Sequence, residues 1–229
     1  MSQEFDLTTF ELKTSAGNVD AVWQVPVDPV AQLVFAHGAG AGYQHRTMQA
    51  LADAFAEVGL ASLRFNFPYM QQGKNRVDSI PTSIDTITAA TELAEQTQRL
   101  PTFLTGHSFG GRMASHAVAE GRVTCEGLIY CSFPLHPAKK PSDKRAAHLP
   151  DIEQPMLFLS GTRDDLGDAK LLTKLTAKLK KNNPLTRLHW LDTANHSYVV
   201  LKRTRKSEVP VFNEMANVAR EFVDTVCNS

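Results

Sequence analysis

Gly106-His107-Ser108-Phe109-Gly110-Gly111 lies between an apolar run, Leu100 to Thr105, and an amphipathic one, Phe109 to Glu120. The first reads as a short buried strand and the second as a helix. A serine flanked by glycines at such a junction has the pattern of a nucleophile elbow. The chain turns sharply from strand to helix, glycines leave room for the tight backbone, and Ser108 is pushed out at the top. The helix that follows offers free backbone N–H groups to a developing negative charge. The competing reading makes Ser108 an ordinary helix-entry serine that caps the Phe109 helix.

Outward from this junction, strands and helices alternate. Toward the N-terminus, Leu60 to Phe65 and Ala31 to Ala36 are continuous apolar strands. Thr47 to Val58 reads as a helix with Met48, Leu51, Phe55 and Val58 on one face, and Gly59 is placed to end it. Pro81 to Gln98 reads as a further helix, with proline in its first turn. Phe10 to Thr14 and Val19 to Val25, around Ser15-Ala16-Gly17-Asn18, suggest a β-hairpin. Toward the C-terminus, Gly127 to Cys131, Met156 to Ser160 and Arg187 to Leu191 are strands. Asp168 to Lys181 and Val211 to Val226 are helices. Apolar strands alternating with helices predict a mostly parallel sheet covered on both faces, with an antiparallel hairpin at its edge. Residues 1–229 are expected to form one α/β domain.

Composition narrows the partners. Lys plus Arg and Asp plus Glu each number 24 in 229 residues, so net charge is zero and no electrostatic footprint for nucleic acid or an anionic membrane is expected. The short basic run Lys202, Arg203, Arg205 and Lys206 is expected to be a solvated loop. Cys125, Cys131 and Cys227 have no metal-ligand spacing, and the first two flank an apolar run as small core hydrophobes. Met1 to Asp6 lacks the basic and apolar pattern of a signal peptide, and no apolar run reaches the length of a membrane span. A cytoplasmic location is expected. No metal, phosphate-loop or dinucleotide fingerprint occurs, since Gly38, Gly40 and Gly42 lack the required glycine spacing. No cofactor is expected.

Ligands of such sheets bind at the carboxyl ends of the strands, where four clusters fall. They are His37-Gly38-Ala39-Gly40-Ala41-Gly42, Ser108, Gly161-Thr162-Arg163-Asp164-Asp165, and Ala194-Asn195-His196-Ser197. Their order and positions resemble the α/β-hydrolases over nearly the whole chain. That resemblance implies an eight-stranded sheet with the oxyanion loop after the third strand, the nucleophile after the fifth, the acid after the seventh and the histidine after the last. Three segments, His37 to Gly40, Arg64-Phe-Asn-Phe-Pro-Tyr-Met70 and Gly110-Gly-Arg-Met-Ala-Ser115, are similar to a small, lid-poor, dienelactone-hydrolase-like branch. More distantly they resemble a hydrolase-like subunit of an animal chromatin-regulatory complex, NSL. Dienelactone hydrolases typically use a cysteine nucleophile where this chain has Ser108, so their substrate is not carried over.

Chemistry assigns the expected roles. Ser108 needs a base to take its proton, and an imidazole does so near neutral pH. His196 fits that position better than His37, His45, His107, His116, His136, His148 or His189. Asp164 would hold the imidazole tautomer, with Asp165 the adjacent alternative and Asp192 a remote third. The backbone N–H groups of Phe109 and of Ala39 (or Gly40) would form the oxyanion hole. Phe67, Tyr69 and Met70 read as packing residues or, alternatively, as the lining of an acyl pocket. Arg64 and Arg163 read as structural or surface groups.

Only about twenty residues separate the Gly127 and Met156 strands, enough for a loop with one helical turn but not for a cap domain. An open site without a cap suits short acyl groups. The expected activity is hydrolysis of a carboxyl ester or related acyl bond of a small molecule, through an acyl-enzyme on Ser108. The alternatives are a non-catalytic binding or scaffold protein on the same fold, or a thioesterase or acyltransferase with the same triad.

Overall fold

A computed structural model describes residues 5–229; Met1 to Glu4, part of the stretch read for a signal peptide, lie outside it. The first two strands, β1 (Phe5–Thr14) and β2 (Gly17–Pro26), form the hairpin. Then follow β3 (Ala31–Ala36), α1 (Arg46–Glu57), β4 (Leu60–Phe65), the short α2 (Pro68–Gln71) and α3 (Ile80–Thr97). The elbow region supplies β5 (Thr102–His107) and α4 (Phe109–Ala119), followed by β6 (Gly127–Cys131) and β7 (Met156–Gly161). The chain closes with α5 (Ala169–Asn182), β8 (Arg187–Leu191) and α6 (Val211–Cys227). The eight strands form one sheet in the order β1-β2-β4-β3-β5-β6-β7-β8. β2 is antiparallel to β1 and β4, and every other pair is parallel. This is the α/β-hydrolase fold, and it carries no cap domain.

The continuous apolar strands are explained by two cores, one on each face of the sheet. Along β6 and β7 successive residues alternate between them: Leu128, Tyr130, Met156 and Phe158 face one core, and Ile129, Cys131, Leu157 and Leu159 the other. Helices α3, α4 and α5 cover the first face through Ile84, Ile87, Met113 and Leu172. Helices α1 and α6 cover the second through Met48, Leu51, Phe55 and Phe222. With both faces dry, strict polar alternation has no place in these strands.

Some boundaries differ from the expectation. The hairpin pairs over its full length, from Phe5↔Pro26 to Thr14↔Gly17, with only Ser15-Ala16 at the turn. Its outer residues, such as Thr8 and Thr9, are exposed, so they carried no hydrophobic signal. Strand β5 starts at Thr102 and runs on to His107, because Pro101 has no N–H to give the ladder. Two 3-10 turns, Lys144–Ala146 and Leu149–Asp151, replace the single turn expected between β6 and β7, anchored by buried Ala146 and Leu149. Arg205 departs from the solvated-loop reading. Its guanidinium donates to the Asp192 and Val209 carbonyls and pairs with Glu214, tying the 201–209 loop to α6. Arg64 is buried and donates to Gln24 and Gln49 side chains. Among the described residues no helix is long and apolar enough to cross a membrane.

Candidate active site

Ser108 sits between β5 and α4 with φ 51 and ψ −113, a left-handed conformation that non-glycine residues rarely adopt. The turn is crowded by backbone. A Cβ on Gly106 would lie 2.2 Å from the Gly111 nitrogen, and one on Gly110 would lie 2.4 Å from the Ala36 carbonyl oxygen. The Ser108 N–H donates to the Cys131 carbonyl at 2.9 Å, so the neighbouring strand fixes the elbow. The hydroxyl makes no capping bond to α4. Its Oγ lies 2.8 Å from His196 Nε2.

His196 follows β8 in a loop folded around Asn195, whose side-chain oxygen accepts the N–H groups of Ser197 and Val199 at 3.0 Å each. Its Nδ1 lies 2.9 Å from both carboxylate oxygens of Asp164. Asp164 follows β7, and its side chain is only 1% exposed. It also accepts the Leu166 N–H at 2.9 Å. A carboxylate accepting from Nδ1–H leaves the Nε2 lone pair facing the serine hydroxyl. Asp165 is exposed, and the Asp192 carboxylate accepts the Lys206 N–H instead. Asp164 is therefore the carboxylate within reach of His196 among these three.

The glycine-rich loop after β3 faces this pair. Neither the Ala39 N–H nor the Phe109 N–H has an acceptor among the described residues. The loop is braced from beneath. His37 Nδ1–H donates to the Gly38 carbonyl at 2.7 Å, and its Nε2 accepts the Phe67 N–H at 3.0 Å. Both ring nitrogens are thus committed to one neutral tautomer, and burial lowers the His37 pKa to about 4. The Tyr69 hydroxyl donates to the Ala39 carbonyl at 3.0 Å, and burial raises its pKa.

Phe67 and Tyr69 do not line the cavity beside Ser108. Both are buried, stacking on one another and packing edge-on against Phe109, while Met70 lies over Gly42. These three side chains pack as a support beneath the loop. The physical reason is α2, which turns the chain inward directly after β4. The cavity itself, about 320 Å³, is bounded by Gly38–Ala41, His107, Ser108, His196 and Ser197, and on its far side by His45, Thr47 and Met48. Sequence reading missed this far wall, because Met48 registered only as a core position of α1. It also missed a support for the histidine loop, since His107 Nε2 donates to the His196 carbonyl at 3.1 Å. Burial first, then the nearby His196, lowers the His107 pKa to about 4.

The other imidazoles are engaged elsewhere. His116 and His148 stack at 3.7 Å between centroids, His136 accepts the Asp168 N–H, and His189 meets Glu214. Among the described residues no group of three or more His, Cys, Asp or Glu is arranged to hold a metal ion.

Residues 29–224 match the model of a protein family described as alpha/beta hydrolase domain. Solved structures of the same architecture include a dienelactone hydrolase from Anabaena variabilis, with a TM-score of 0.72 at 18% identity over 96% of this chain and 98% of that one. A lid-less α/β serine hydrolase from Xanthomonas campestris superposes with a TM-score of 0.67 at 18% identity, over 97% and 94% of the two chains. An esterase from Pyrococcus furiosus gives 0.72 at 15% identity, over 98% and 92%.

Proposed function

Because the chain belongs to the alpha/beta hydrolase domain family, we propose that it is a serine hydrolase that cleaves a carboxyl ester or related acyl bond of a small molecule. The observation that carries this reading is the unbroken hydrogen-bond relay from Asp164 through His196 to Ser108. A folded scaffold has no physical need for such a relay. The single family match and the single sheet support reading the chain as one domain of this kind.

In this mechanism His196 Nε2 takes the Ser108 proton as Oγ attacks the substrate carbonyl carbon. The carbonyl electron pair moves onto oxygen, and the free N–H groups of Ala39 and Phe109 donate to that oxyanion. Each such donor contributes on the order of 10²–10³ in rate. Protonated His196 then gives its proton to the departing alkoxide, leaving an acyl ester on Ser108. A water molecule, deprotonated by the same nitrogen, attacks that ester, releases the acid and restores the serine. Asp164 holds the ring orientation and stabilises the imidazolium in both halves. A thioester substrate or an alcohol acceptor would use the same steps.

The test is intact mass after a fluorophosphonate probe. One adduct on the wild type and none on Ser108→Ala is the expected result, with an ester screen to follow. A folded wild type that takes up no probe would move the scaffold reading ahead.

A further inference from the structure

The cavity beside Ser108 has two unlike walls. The loop Gly38–Ala41 offers nothing longer than a methyl group, and His107, Ser108 and His196 are occupied with the reaction or its support. The side chains that remain for contact with a substrate group beyond the reacting carbonyl are exposed Ser197 and, at the start of α1, His45, Thr47 and Met48. Met48, buried to 2% exposure, closes the wall with a flexible apolar thioether.

The two polar members of that wall are unspent. His45 Nδ1 accepts the Thr47 N–H at 3.2 Å, capping α1, so in the neutral ring the proton sits on Nε2. That Nε2–H has no acceptor among the described residues. Thr47 Oγ1 likewise has no partner, whereas Thr86, Thr88, Thr91 and Thr97 of α3 each donate to the carbonyl four residues earlier. At about 320 Å³ the cavity lies at the small end of the range of ligand pockets. His45 is exposed and Thr47 half-buried, so water reaches both donors; an oxygen on the substrate can take that water's place, and a plain alkyl group cannot.

We infer that this wall selects a short ester carrying a second oxygen, hydroxyl or keto, which accepts from His45 Nε2–H and Thr47 O–H above Met48. The inference rests on the hydrolase reading and deepens it.

The experiment compares kcat/KM for ethyl 3-hydroxybutyrate, 2-hydroxyethyl butyrate and ethyl butyrate. The first carries the extra oxygen on the acyl side and the second on the alcohol side. The wild type should prefer at least one oxygenated ester about tenfold over ethyl butyrate, and which one identifies the side that enters the cavity. His45→Asn retains a capping side chain but not the reach, and Thr47→Val removes only the hydroxyl. Each should cut that preference about fivefold, through KM rather than kcat. Wild-type ratios within twofold of one, or ratios that neither variant moves, would overturn the inference while leaving fluorophosphonate labelling of Ser108 intact. Labelling that fails sinks the hydrolase reading instead. In that event the His45 ring resonances of Ser108→Ala still decide the point. They should shift with an oxygenated ester and not with ethyl butyrate, and equal shifts or none would overturn the inference.

Discussion

Ser108 pays for its position in backbone strain. A side chain at φ 51 costs on the order of 1–3 kcal/mol, and glycine adopts that region freely. Ser108→Ala should therefore abolish turnover without gaining stability. Ser108→Gly should also be inactive, yet about 1 kcal/mol more stable than Ser108→Ala in urea unfolding, after glycine's greater unfolded-state freedom is subtracted. A glycine variant less stable than the alanine variant would remove strain from the account of the elbow. The neighbouring acids make a sharper contrast. Asp164→Asn should cut kcat about 10⁴-fold by presenting the wrong tautomer at His196, while exposed Asp165→Asn stays within about twofold of wild type in the same assay. Ser108, Asp164 and His196 were legible in the sequence because each stands in a short pattern at a strand end. His107 and Tyr69 were not, because their partners are main-chain carbonyls, which any residue carries and no motif records.

Elements were legible where burial wrote a period into them. Strands β3, β4, β6 and β8 begin and end where the apolar runs do, and α1 shifts by a single residue, with Gly59 at φ 79 closing its C-terminal end. Where an element exposes its surface, as in the outer hairpin, or lasts one turn, as in α2, the sequence carried no period to read. The packing of α4 onto β5 and β3 was legible only as glycines. Gly110→Ala would force a methyl group into the Ala36 carbonyl, so we expect a loss of about 3 kcal/mol or insoluble protein, read from urea midpoint and yield. Helix α2 acts on the site through one hydroxyl. Tyr69→Phe keeps the ring contacts with Phe67 and Phe109 but frees the Ala39 carbonyl. It should lower kcat up to about tenfold with KM unchanged, as expected for a residue that positions an oxyanion donor. A change confined to KM would assign Tyr69 to substrate contact instead.

At the scale of the molecule, net charge is zero at pH 7 and becomes positive only as histidines and carboxylates take up protons, so the first loss of stability on acidification falls to particular buried groups. His37, His107 and His148 all have pKa values lowered to about 4, burial being the largest cause in each. In the unfolded chain each would titrate near 6.5. Between these values the unfolded state binds the extra proton, so stability falls as pH falls through that window and is flat above it. For His37, which is fully buried, the loss amounts to about 2 kcal/mol at pH 5. The expected result is a thermal midpoint that holds from pH 8 to pH 7 and drops steadily toward pH 4.5. His37→Asn, whose amide can still donate to the Gly38 carbonyl, should start lower but fall less steeply. If its slope equals that of the wild type, His37 is not among the groups that take up the proton. Because the same neutral imidazole braces the loop carrying Ala39, its protonation would release that loop. The low-pH loss of labelling at Ser108 should then differ between wild type and His37→Asn, a difference that the base His196, common to both, does not supply.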